Sequence, residues 1–147
     1  MAGKTMRVQL ERVGTAAFRA RGEGSGGEVV LDGSPEIGGE GRGMRPMELM
    51  LTAIASCAAM DVVHILRKQR EPLQSLRIEV EGVRADATPA PFTRVRIVFV
   101  ANDEVDAHKL ERAVSLGVEK YCSARASLDP SIEVVWEARR EPRAGTT

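Results

Sequence analysis

Hydrophobic and polar residues change their period several times along this chain, and each change marks an element. RVQLERV (7–13) alternates imperfectly, setting Val8, Leu10 and Arg12 against Arg7, Gln9, Glu11 and Val13. AAFRAR (16–21) and GEVVLDG (27–33) follow with strand character, and the GEGSGG between them reads as a turn. SPEIGGEGRGM (34–44) holds too much glycine for a core element and reads as a mobile loop of the kind that borders functional sites. There the pattern changes. MELMLTAIASCAAMDVVHILRKQR (47–70) reads as one long helix, with Pro46 suited to its first turn and Arg67, Lys68 and Arg70 favouring its C-terminal end. Pro72 ends the run.

Period two returns in SLRIEVEGV (75–83) and TRVRIVFV (93–100), which flank the loop RADATPAPF and predict a long antiparallel hairpin. Asn102 or Asp103 is placed to cap a second helix, in which Leu110, Val114, Gly117, Val118 and Tyr121 recur at helical spacing up to about Cys122. SARASLDPS is a short helical turn or loop, and IEVVWEA (132–138) is a final strand. Neither an internal repeat nor a Ser/Pro linker divides the chain. The reading is a single α+β domain over 1–147, with mostly antiparallel sheets and loose ends at about 1–5 and 140–147.

The long helix carries a further implication. Leu49, Met50, Leu51, Ile54, Met60, Val62, Val63, Ile65 and Leu66 project all the way round it. A helix lying on one sheet needs a single apolar stripe, whereas this one needs cover on every side. About six strands of a 147-residue chain cannot supply that, so a second subunit is the simplest cover. The expectation is an obligate dimer with this helix near its centre.

Charge and composition narrow the partners. Lys plus Arg and Asp plus Glu balance at 21 each, and one Trp, one Tyr and three Phe offer little for base stacking, which argues against nucleic acid and anionic membranes. No apolar signal segment opens the sequence, and the longest uncharged run, Leu49 to Met60, has twelve residues before Asp61 interrupts it. That falls short of the ~20 needed to span a bilayer, so a cytoplasmic protein is expected. In that compartment two cysteines are reduced or redox-active rather than a permanent staple.

Those cysteines, Cys57 in the long helix and Cys122 at the end of the second, admit two readings. Both are small core residues, or they form a reactive pair in which one thiol captures the sulfenic acid of the other. Sequence separation does not prevent the pairing, and sequence alone does not establish it. Asp61, one turn beyond Cys57, would oppose a thiolate there. His64 lies two turns beyond, roughly 10 Å along the axis, too far for a direct hydrogen bond within the helix. His64 and His108 therefore read as ordinary residues. The two Cys and two His lack the close-pair spacing of zinc ligands, so neither a metal nor a bound cofactor is expected.

Several of these residues occur together in a known pattern. Pro46, Glu48-Leu49, Cys57 eleven residues after the proline, the continuation MDVVHILRK, the strand PFTRVRIVF and EKYCSA at 119–124 resemble the OsmC/Ohr superfamily of osmotically inducible and organic hydroperoxide resistance proteins. The likeness covers about Val29 to Trp136 and is greatest to the OsmC-like subgroup. It implies an intertwined homodimer in which the cysteines of a subunit meet near the interface. In the peroxidase branch the first thiolate attacks the O–O bond of an organic hydroperoxide. The second thiol then resolves the sulfenic acid, and an external dithiol such as dihydrolipoamide reduces the disulfide. By motif, Cys57 would be the peroxidatic thiol and Cys122 the resolving one.

One departure bears on the chemistry. Peroxidase members place a Glu directly after the proline, where it orients an Arg that holds the thiolate, and this chain has Met47 there. Glu48 comes one residue later, about 100° round the helix, and nine residues before Cys57, nearly its opposite side. Arg19, Arg21, Arg42 and Arg45 are candidates for the cation, with Arg19 preferred because it precedes the glycine turn, where the resemblance implies the family's N-terminal Arg falls. The resemblance thus implies a thiol-dependent peroxidase of hydrophobic organic hydroperoxides in oxidative stress defence, with Cys57, Cys122, Arg19 and Glu48 as its site. The alternatives are a non-catalytic redox-sensing or small-ligand-binding dimer with structural thiols, and a purely structural dimer.

Overall fold

The computed structural model describes residues 3–143, so the ends of both expected loose termini (1–2 and 144–147) lie outside the described residues. The chain divides into two compact units, one up to Met50 and one from Leu51. The first is an antiparallel meander of β1 (Val8–Arg12), β2 (Ala17–Gly22) and β3 (Glu28–Asp32). Register sets Leu10 opposite Ala20 and Ala20 opposite Val29. The glycine turn closes through Gly22 N–H to Gly27 O (2.9 Å) and Gly26 N–H to Gly22 O (2.8 Å).

The 34–44 segment differs from its expectation as a mobile loop. It is wound around one carboxylate. Asp32, 2% exposed, accepts from Gly33 N–H at 2.8 Å, Glu40 N–H at 2.9 Å and Arg42 N–H at 3.1 Å. The N–H groups of Glu40 and then Arg42 do most to hold its pKa below the usual carboxylate range, against the opposing effect of desolvation. Glycine serves close approach here. A Cβ on Gly39 would collide with Gly33 O, and one on Gly43 with Val30 O.

Helix α1 (Pro46–Lys68) begins with Arg45 N–H donating to Glu48 Oε1 at 2.9 Å, the carboxylate half of a capping box. It ends two residues earlier than the sequence pattern suggests. Arg70 takes a left-handed φ of 57°, and Glu71 N–H reaches back to Leu66 O at 3.0 Å, a Schellman-type stop. Along α1 only Ile54, Ala55, Ala58, Val62 and Leu66 are buried, while Met60 is 70% exposed. The helix expected to be covered all round therefore buries a single stripe within its own chain.

From Leu51 onward the sheet order is β4 (Leu76–Arg84), β5 (Phe92–Asn102) and β6 (Glu133–Glu141). The predicted hairpin β4–β5 is antiparallel, with Ile78 opposite Phe99. The last strand pairs parallel to β5, with Ile97 opposite Trp136, and the three other strand pairs are antiparallel. β6 also runs to Glu141, beyond the expected end at 138 and into the segment expected to be loose. As the central strand, β5 buries Val95 and every residue from Ile97 to Asn102.

Asn102 does not cap the second helix. It is fully buried, accepts at Oδ1 from Gln74 N–H (2.8 Å) and Ser75 N–H (3.1 Å), and donates from Nδ2 to Pro72 O (2.9 Å) and Glu104 Oε2 (2.6 Å). Asp106 is the cap, accepting from Lys109 N–H at 2.9 Å, and α2 runs Ala107–Leu116. A π-helical turn, Gly117–Tyr121, follows, and Cys122 leads into the short α3, Ser123–Ala126. Leu110, Ala113, Val114 and Val118 bury the apolar side of this stretch.

Candidate functional site

The two cysteines, 65 positions apart in the sequence, are brought together. Both are free thiols, Cys57 half-buried midway along α1 and Cys122 buried at 3% exposure. Cys122 Sγ donates to Ile54 O at 3.7 Å, one helical turn before Cys57, and the Cys57 thiol lies near enough to act on the protonation of Cys122. Gly117 makes the approach feasible. An added Cβ there would lie 3.1 Å from Ala58 O and 3.2 Å from Val62 Cγ2, so the π turn rests on the α1 backbone one residue past Cys57.

The environment of Cys122 defines its protonation state. Burial pushes the Cys122 thiol above its ordinary pKa. Arg125 N–H, donating to Sγ at 3.2 Å, pulls the other way, and the neighbouring Cys57 adds to the upward push. At neutral pH Cys122 is a thiol and a proton donor. The sulfur also caps α3 in the place an oxygen usually takes. Sequence reasoning missed the Arg125 N–H, because nothing in SARA announces a four-residue helix capped by sulfur.

The other expected site residues are placed as follows. Arg19 is exposed on β2, opposite Glu11 and Val30, and lines a surface groove of about 240 Å³ with Gln9, Glu11, Arg21 and Glu28. Glu48 holds the start of α1 through Arg45 N–H. Arg42 Nη1 donates to Val13 O at 2.9 Å, so its guanidinium is engaged in the glycine loop. His64 is exposed on α1, and His108 lines a separate groove with Arg112 and Trp136. Among the described residues, no group of three or more His, Cys, Asp or Glu could hold a metal ion. Beside Cys57 in sequence, Ser56 opens an apolar groove of about 310 Å³ with Ala59, Met60, Val63 and Ile78.

Two free thiols side by side, one on a long helix and one at a helix start in an α+β fold, define a paired-cysteine protein suited to thiol-based redox chemistry. The OsmC-like protein family pattern matches residues 39–137. The chain is 33% identical to Protein YhfA of Escherichia coli (strain K12) over 112 residues, which span 75% of this chain and 80% of that protein. The crystal structure of a hypothetical protein from Aquifex aeolicus VF5 superposes with a TM-score of 0.78 at 35% identity, covering 95% of this chain and 99% of that one. The organic hydroperoxide resistance protein OhrB of Bacillus subtilis shares the fold, with a TM-score of 0.62 at 18% identity over 92% of this chain and 98% of that one. The chain belongs to the OsmC/Ohr superfamily. α1 has the length and apolarity of a membrane-crossing helix, but a core helix of a globular protein passes the same test.

Proposed function

We propose that this protein is a cytoplasmic, homodimeric, thiol-dependent peroxidase that reduces hydrophobic organic hydroperoxides in oxidative stress defence. The observation that carries the reading is the placement of Cys122 against α1 beside Cys57, with Cys122 Sγ on Ile54 O at 3.7 Å and the π turn on Ala58 O. The Cys57 thiolate attacks the terminal peroxide oxygen, the O–O bond breaks, and the alkoxide leaves as an alcohol after taking up a proton. Cys57 is then a sulfenic acid. Cys122 sulfur displaces its hydroxyl as water, giving a Cys57–Cys122 disulfide, so two thiols and one hydroperoxide yield one disulfide, one alcohol and one water. An external dithiol such as dihydrolipoamide returns both thiols by exchange. By the family motif, Arg19 is assigned the part of the cation that assists the thiolate, and Glu48 the part of the family's carboxylate. The engagement of Glu48 with Arg45 N–H supports a carboxylate held in place at the helix start.

The uncovered side of α1 supports the dimer. Met50 (41% exposed) and Met60 (70%), together with the apolar groove at Ser56, Ala59 and Val63, await cover that a second copy would provide. The same groove supports a greasy substrate near Cys57. The name of the Bacillus protein is in keeping with this chemistry, although its likeness extends to the fold alone.

A second reading, a redox-sensing or small-ligand-binding dimer, is favoured by Met47 in place of the family's Glu and by the upward push on the Cys122 thiol. Steady-state turnover separates the two. Purified protein with cumene hydroperoxide and dihydrolipoamide is expected to turn over and to lose activity in Cys57→Ser. Turnover that survives Cys57→Ser would overturn the assigned nucleophile, and none in the native protein would leave the sensing reading in its place.

A further inference from the structure

Helical spacing from Leu110 and Val114 puts Tyr121 on the buried face of the second helix, yet Tyr121 is 51% exposed and Cys122 is buried in its stead. The π turn Gly117–Tyr121 accounts for the exchange. One extra residue in a turn rotates everything after it by about 100°, which moves the next side chain onto the inner face. A wide turn of this kind is intrinsically less favourable than continued α-helix and needs something to hold it. Glu119, in its middle, supplies two bonds. Oε1 accepts from Trp136 Nε1 of β6 at 2.9 Å, and Oε2 accepts from Ser115 Oγ of α2 at 3.2 Å.

We infer that Glu119 is a positioning residue for the cysteine pair, a clamp between α2 and β6 that holds the π turn and so keeps Cys122 facing Cys57. The inference deepens the proposed redox function and rests on that reading for its biological meaning, but its physical content does not need peroxidase activity. With the clamp in place, the dithiol already holds Cys122 on the α1 side of its turn, toward Cys57. Without it the turn relaxes toward α-helix in the dithiol form, and closing the disulfide must restore the π geometry.

The test is a redox titration of the full-length protein against glutathione, in which the two thiols and one glutathione disulfide give the Cys57–Cys122 disulfide and two glutathione thiols. Loss of the clamp is expected to lower the equilibrium constant for disulfide formation about fivefold in Glu119→Ala, the equivalent of roughly one net hydrogen bond. Glu119→Gln keeps an amide oxygen to accept from the indole N–H and is expected to stay within about twofold of the native value. Trp136→Phe removes the donor without touching the turn, and is expected to fall in the same direction as Glu119→Ala. The Cys57 alkylation rate with iodoacetamide, expected to be unchanged within about twofold, separates displacement of Cys122 from general loosening of α1. A native equilibrium constant in Glu119→Ala, or in Trp136→Phe should the alanine variant not fold, overturns the clamp, as does an equal loss in Glu119→Gln. A fivefold loss in a protein without peroxidase turnover would uphold the clamp and reject the peroxidase.

Discussion

Replacing Gly117 by alanine sets two effects against each other. The backbone there is right-handed helical (φ −61°, ψ −50°), so an alanine strains nothing locally and gains roughly 0.5–1 kcal/mol over glycine in helical propensity. Against this, the new methyl would lie 3.1 Å from Ala58 O and 3.2 Å from Val62 Cγ2. Neither neighbour yields readily. Ala58 O belongs to the backbone of the middle of α1, and Val62 is a fully buried, β-branched residue confined to one rotamer in a helix. Overpacking of this kind costs about 1–3 kcal/mol, so the expected net result is a destabilisation of about 1 kcal/mol. With a urea m-value of roughly 2 kcal/mol/M, the midpoint should fall by about 0.5 M. Relief of the clash separates the π turn from α1, so the Cys57–Cys122 disulfide should also form less readily with glutathione disulfide. A Gly117→Ala protein with a higher urea midpoint would show that α1 gives way easily and would refute the tight contact on which the thiol geometry rests.

Three further outcomes follow from named contacts. The Cys122 pKa is raised in the folded chain, so its contribution to stability is fully present below the ordinary thiol pKa and is lost as pH rises through the folded value. Urea midpoints from pH 7 to 10.5 should decline more steeply in the native protein than in Cys122→Ala. Asn102→Ala strips four hydrogen bonds from a fully buried side chain and should cost about 2–3 kcal/mol, measured as a lower unfolding midpoint. Arg70→Gly relieves a left-handed φ of 57° at the end of α1 and should stabilise the protein by about 1 kcal/mol in thermal melts.

What the sequence disclosed depended on how local the cause was. The β4–β5 hairpin was legible because β4 alternates regularly and β5 is a β-branched apolar run on the other side of a Pro-rich loop, and α1 because its helix start, apolar run and basic end agree. The parallel pairing of β6 was not, since it joins residues 39 positions apart, as Arg94 with Glu133. Asn102 looked like a helix cap because Asn commonly caps, while its actual partners, Pro72, Gln74 and Ser75, come from a distant loop. The glycine loop looked mobile because the binding of its backbone N–H groups to Asp32 leaves no side-chain pattern. At the site, the motif named both cysteines, yet the π turn that brings them together is written in the same spacing as an ordinary helix. Only the exposed Tyr121 beside the buried Cys122 betrays it.

The central claim is that Cys57 and Cys122 act as one redox couple, and intact-protein mass spectrometry after a single equivalent of cumene hydroperoxide tests it most directly. The account predicts the loss of two hydrogens and, on digestion without reductant, a peptide joining Cys57 to Cys122 within one chain. A Cys57 carried on to sulfinic acid beside an unmodified Cys122, or two thiols left intact, would contradict it.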